Sequence, residues 1–152
     1  MSYRSDVRII TSKKGFNILK KFTDNYLKEK KFSYGNLLDD CEIFHGNDYF
    51  KYFGWDSIKW YDDFKGYEDV TAIMEGLKYL RENNFSLRFS RIGESYDDYE
   101  EFSYESDIEE EQCFAYPTIT RKFDDDYVIN NMDYYNIDYY NKKVDESELT
   151  GV

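Results

Sequence analysis

Thirteen carboxylates lie between Ile92 and Asp126, opposed only by Arg121 and Lys122, which gives this window a net charge of −11. Its first part reads GESYDDYEEFSYESDIEEEQ, and the acid resumes at Asp124, Asp125 and Asp126. Carboxylates at this density could hold a cation, move protons or meet a cationic surface. Calcium needs alternating oxygen ligands, a central Gly and a closing Glu. Neither Asp97-Asp98-Tyr99-Glu100 nor Asp124-Asp125-Asp126 has that spacing, so no metal site is expected. Acid–base catalysis needs two carboxyls in different environments, and a run of solvated ones does not supply them.

Recognition of a cationic partner fits the spacing better. On a strand, residues i and i+2 lie about 6.6 Å apart on one face. Glu101, Ser103 and Glu105, or Glu109 and Glu111, would thus form an anionic row. That row is sparser than a nucleic-acid strand, which carries a phosphate about every 3.4 Å, yet it could engage the same Lys/Arg groove. Tyr96, Tyr99, Phe102 and Tyr104 are interleaved where bases would stack. The expected partner-binding residues are Asp97, Asp98, Glu100, Glu101, Tyr104, Glu105, Asp107, Glu109, Glu110 and Glu111. A solvated loop that only promotes solubility is the plainer alternative.

The wider charge distribution agrees. Residues 1–60 carry eleven Lys/Arg against eight Asp/Glu, and residues 61–152 carry nine against twenty-four. A field this asymmetric attracts cations and repels nucleic acid. The lysines of the first helix (Lys13, Lys14, Lys20, Lys21, Lys28, Lys30 and Lys31) could touch phosphates, or meet the acidic patch of a second copy and form a homo-oligomer. An ordinary solvated helix face explains them as well. His45 is the sole histidine and stands beside an expected turn. No P-loop, GxGxxG, GxSxG or HExxH occurs. The chain does not read as an enzyme, and no cofactor is expected. Cys41 and Cys113 lack metal-ligand spacing and read as a reduced pair. The opening MSYRSDVRII lacks the apolar stretch of a signal peptide, and no run approaches the ~20 apolar residues of a membrane helix, so a cytoplasmic location is expected.

Several elements must position these groups. Val7–Ile10 reads as a strand, and Thr11-Ser12 as the N-cap of an amphipathic helix ending near Lys30, with Phe16, Leu19, Phe22, Thr23, Tyr26 and Leu27 on one face. A hairpin follows: Glu42–His45, a turn at Gly46-Asn47-Asp48, and Tyr49–Phe53, with Gly54 expected to interrupt it. Trp55, Trp60 and Tyr61 read as core anchors. Val70, Ile73, Met74, Leu77 and Leu80 mark a second helix closed by Asn83-Asn84. Phe85–Ile92 alternates as a half-exposed strand, Glu101–Glu105 is a further candidate, and Gln112–Phe123 another. This order predicts an α+β domain over residues 1–123: a mainly antiparallel sheet with two helices on one face, as in ferredoxin-like folds. Residues 124–152 read as an acidic Tyr/Asn-rich tail.

The segment WDSIKWY, the helix after it, the strand ending in Arg91-Ile92-Gly93-Glu94 and the pair Asp97-Asp98 together resemble small uncharacterised proteins of phages and prophages of Gram-positive bacteria. The opening MSYRSDV is similar to theirs, and the likeness covers residues 1–100. It implies a viral accessory protein and supplies no site residues. Small acidic phage proteins often inhibit host defence, CRISPR effectors included. The expectation is therefore an anti-defence inhibitor in the host cytoplasm. Its partner would be a defence protein with a cationic nucleic-acid groove, bound by acidic DNA mimicry. The alternative is an accessory module that joins proteins through aromatic contacts.

Overall fold

The computed structural model describes residues 3–108 and 111. β1 (Ser5–Ser12) leads into α1 (Lys13–Glu29), which begins where the Ser12 hydroxyl accepts the Gly15 amide at 2.9 Å. That bond satisfies one of the orphan donors of the first turn. α1 buries Gly15, Leu19, Thr23 and Leu27, one residue per turn.

A 3-10 turn at Leu37–Asp40 follows, unforeseen from the sequence and built on Asn36. The Asn36 side chain accepts from the Leu38 amide and donates to Thr23 and to Asp24, which ties the turn to α1. Lys20 bridges Asp24 at 2.6 Å and Asp39 at 3.3 Å across the same junction. Partial burial opposes the charge on Lys20, but its bonds to the two aspartates outweigh this and raise its pKa.

β2 (Ile43–Gly46) and β3 (Phe50–Ile58) form the expected hairpin. Gly54 does not interrupt β3, which runs on through Trp55 to Ile58. Its hydrogen instead lets β1 lie close: a Cβ there would collide with the Val7 carbonyl. α2 (Glu68–Glu82) buries Val70, Ala72, Ile73, Leu77 and Leu80. It ends at Asn83, and Asn84 turns the chain in the left-handed region at φ 64°.

β4 (Leu87–Gly93) and β5 (Tyr99–Tyr104) complete a five-stranded sheet of order β2-β3-β1-β4-β5, in which every neighbouring pair is antiparallel. Val7, Ile9, Phe53, Trp55, Leu87 and Phe89 share one core with Leu19, Val70, Ile73, Leu77 and Leu80, so both helices cover the same face. Trp55 and Trp60 are buried in that core, with rings 5.5 Å apart. β4 is not half-exposed as its alternation suggests. Arg88 and Ser90, out of phase with the core residues, are buried as well, as is Ile10, the β1 partner of Arg88. The expected strand Gln112–Phe123 and the tail 124–152 lie outside the described residues, as does Cys113. Among the described residues, no helix is long and apolar enough to cross a membrane.

Candidate functional site: the β4–β5 hairpin

Arg91, on β4, organises the acidic segment. Its register partner across the hairpin is Glu100, whose Oε1 accepts from Nε at 2.7 Å. Its terminal nitrogens donate to both carboxylate oxygens of Asp98, at 2.7 and 3.1 Å, and to the Ser5 hydroxyl at 3.0 Å. A two-pronged bond of this kind fixes orientation as well as charge. Bonding to Asp98, only partly opposed by burial and reinforced by Glu100, holds the Arg91 pKa above the ordinary guanidinium range.

The turn closes around the same group. The Tyr3 hydroxyl donates to Asp98 Oδ2 and accepts the Ser95 amide at 3.1 Å. The Gly93 amide donates to the Asp98 carbonyl at 2.8 Å. A side chain at Gly93 would strike both the Asp98 carboxylate and the Tyr3 hydroxyl. Asp98 and Glu100 therefore spend their charge inside the molecule.

The other expected site residues divide clearly. Tyr104 is half-buried against the core, its hydroxyl donating to Asn84 Oδ1 at 2.7 Å. Asp107 is exposed and accepts from Asn84 Nδ2 at 2.6 Å. Glu111 is only 5% exposed, so it belongs to the interior. Glu109 and Glu110 lie outside the described residues. Asp97, Glu101 and Glu105 are exposed and make no ion pair or side-chain hydrogen bond among the described residues. Beside them Tyr96 is 80% exposed and Tyr99 57%, while Phe102 stacks on Phe89 at 4.7 Å with its outer side uncovered. The hairpin thus presents three uncommitted carboxylates among aromatic rings.

A second region collects polar groups. A cavity of about 360 Å³ is lined by Arg4, Glu42, Ser57, Lys59, Tyr67 and Asp69, among others. Burial raises the pKa of Asp69, although the Val70 amide bonded to it pulls the other way. Ser57 at its rim has a left-handed backbone, φ 54°, held by its amide donating to Asp6. Cys41 is a free thiol whose pKa is pushed up to about 12, by burial first and then by Asp39 and Asp40. No group of three or more His, Cys, Asp or Glu among the described residues could hold a metal ion.

Fold and site define an α+β domain whose β4–β5 hairpin carries a mixed acidic and aromatic surface. No protein family, curated protein or solved structure matches the chain.

Proposed function

We propose that this chain is a non-enzymatic inhibitor that binds the cationic nucleic-acid groove of a bacterial defence protein, a CRISPR effector in the most specific form of the reading. It would act in the host cytoplasm as a phage-encoded protein. The observation that carries the proposal is the hairpin surface, where Asp97, Glu101 and Glu105 stay uncommitted beside exposed Tyr96, Tyr99 and Phe102. The strand order β2-β3-β1-β4, antiparallel throughout and with β5 added beside β4, supports a ferredoxin-like scaffold for it.

Magnitudes assign each half of the surface its part. An exposed ion pair contributes about 0.2–1 kcal/mol, so three sum to at most ~3 kcal/mol. Micromolar binding needs about 8 kcal/mol. The carboxylates therefore steer and select, and the aromatic rings must supply most of the affinity by burial.

The test is capture from bacterial lysate on the immobilised full chain, followed by elution with rising salt and an activity assay on the captured protein. The proposal expects a nucleic-acid-processing protein whose activity falls on binding, and an Asp97→Lys/Glu101→Lys/Glu105→Lys variant that no longer retains it. Retention by that variant through half-molar salt would instead support the purely aromatic accessory module.

The Asp69 cavity favours one second reading, a small-molecule or catalytic site. A carboxyl of raised pKa inside a cavity is what carboxylate chemistry requires. Asp69→Asn would then abolish turnover or ligand binding, whereas the inhibitor reading expects it to leave partner capture unchanged.

A further inference from the structure

The hairpin also has a backbone edge, and its hydrogen-bonding phase can be read. The Gly93 amide donates across to the Asp98 carbonyl. In an antiparallel ladder, facing residues alternate between pairs that bond and pairs that do not. Arg91–Glu100, Phe89–Phe102 and Leu87–Tyr104 are therefore in the bonding phase, and Ser90–Glu101 and Arg88–Ser103 are out of it. The amides and carbonyls of Glu101 and Ser103 point away from β4, off the end of the sheet. No strand lies beyond β5 among the described residues, and Glu101 and Ser103 are both exposed.

The two faces of this edge have different chemistry. Glu101 and Ser103 fall on the face opposite the helices, and Glu105 follows directly after the end of β5. Phe102 falls on the helix face, stacked on Phe89 and extending the core to the rim. An incoming strand would need cationic side chains on one face and an apolar one on the other. A second copy of this chain does not fit, because its own edge brings the same carboxylates and a net charge of −12.

We propose that the outer edge of β5 takes up an extended Lys/Arg-rich segment of the partner protein as an added strand. The segment bonds the main chain of Glu101 and Ser103 and sets its cations against Glu101 and, just past the end of β5, Glu105. This inference rests on the acidic-surface reading above and specifies how the partner engages. Main-chain bonds hold such a strand and the side chains on alternate faces select it.

The probe is a synthetic peptide of alternating Lys and Val with blocked ends, titrated against the full chain by fluorescence anisotropy and by amide hydrogen exchange. Exchange should slow at Glu101 and Ser103. Ser103→Pro removes one outward donor at a position where an edge strand tolerates proline, and should weaken binding about tenfold. Ser103→Ala keeps the donor and should bind as the parent does. Equal binding by Ser103→Pro, with no protection at Glu101 and Ser103, would overturn strand addition. The acidic reading would survive that result if Glu101→Lys still lost the peptide, and would fall with it if Glu101→Lys bound normally. Should Ser103→Pro unfold, the protection pattern of the parent chain decides alone.

Discussion

Replacing Asp98 by Asn should destabilise the fold while leaving the recognition surface in place. The Asp98 carboxylate accepts two bonds from Arg91 and one from the Tyr3 hydroxyl. Asparagine keeps the shape but turns one oxygen into an NH2 group, which must face a donor of Arg91 or Tyr3. Arg91 then loses its charged partner and one of its two bonds to residue 98, keeping Glu100 and Ser5. Breaking a fully buried ion pair costs about 3–5 kcal/mol. Here the side chains are 16% exposed for Arg91 and 31% for Asp98, so water screens part of the loss. A cost of about 2 kcal/mol follows. In a chain of this size that lowers Tm by roughly 4–8 °C. Glu101→Gln, at an exposed and uncommitted carboxylate on the same hairpin, should stay within ~0.5 kcal/mol of the parent. Thermal unfolding followed by circular dichroism separates the two. An Asp98→Asn melt coincident with the parent would refute the claim that Arg91 locks the turn. It would return Asp98 and Glu100 to the set of carboxylates available to a partner.

Gly54→Ala places a methyl group against the Val7 carbonyl, where neither backbone can give way without breaking the β1–β3 pairing. A loss of at least ~3 kcal/mol is expected in urea unfolding; a loss below ~1 kcal/mol would show that the strands can separate there. Cys41 makes stability depend on pH in the alkaline range. Its thiol ionises near 9.0 in the unfolded chain and near 12 in the folded one, so between these values only the unfolded chain releases the proton. The contribution is whole below pH 9 and declines as pH rises towards 12; water reaches this half-buried thiol and screens part of the effect, so the slope stays below about 1.4 kcal/mol per pH unit. Subtracting the same urea series for Cys41→Ala isolates this slope, and parallel curves would contradict a half-buried thiol that folding keeps neutral.

Local pattern was enough to find the regular elements. The 3-4 spacing of Phe16, Leu19, Phe22 and Thr23 and the capping hydroxyl of Ser12 identify α1. Val70, Ile73, Leu77 and Leu80 identify α2 in the same way. The misread features depend on contacts distant in sequence. Gly54 looks like a break because glycine weakens a strand, and only the approach of Val7 shows why it is tolerated. β4 alternates like a half-exposed strand, yet Arg88 and Ser90 are buried. A period of two records which face a residue takes and not whether that face is covered. The turn on Asn36 escapes because a single buried amide bonded to α1 has no periodic signature.

The acidic site was legible as a charge total and illegible as a partition of that charge. Arg91 stands in the sequence as one cation before a long acidic run, so counting leaves it outvoted. Hairpin register changes the sum, because Gly93 facing Asp98 places Arg91 opposite Glu100. Extending that register from the Glu94–Asp97 turn is the signal that could have located the pair in advance.

The uncommitted carboxylates also carry a meaning that does not depend on any particular partner. Among the described residues β5 is an edge strand; such a strand offers its outward amides and carbonyls to any chain that can lie alongside, and charge is the usual protection against indiscriminate pairing. At β5 the protection has one sign. Glu101 and Glu105 repel a second copy of this acidic chain and other anionic strands, whereas a Lys/Arg-rich strand meets no such barrier. Selectivity arises mainly from what the edge rejects, so it can be high even where each attractive contact is weak. Neutralising Glu101 and Glu105 together should therefore do two things at once: weaken capture of a cationic partner and allow the chain to self-associate. A solvated loop kept only for solubility would show the second effect without the first, and sedimentation of the double Gln variant beside the peptide titration distinguishes these cases.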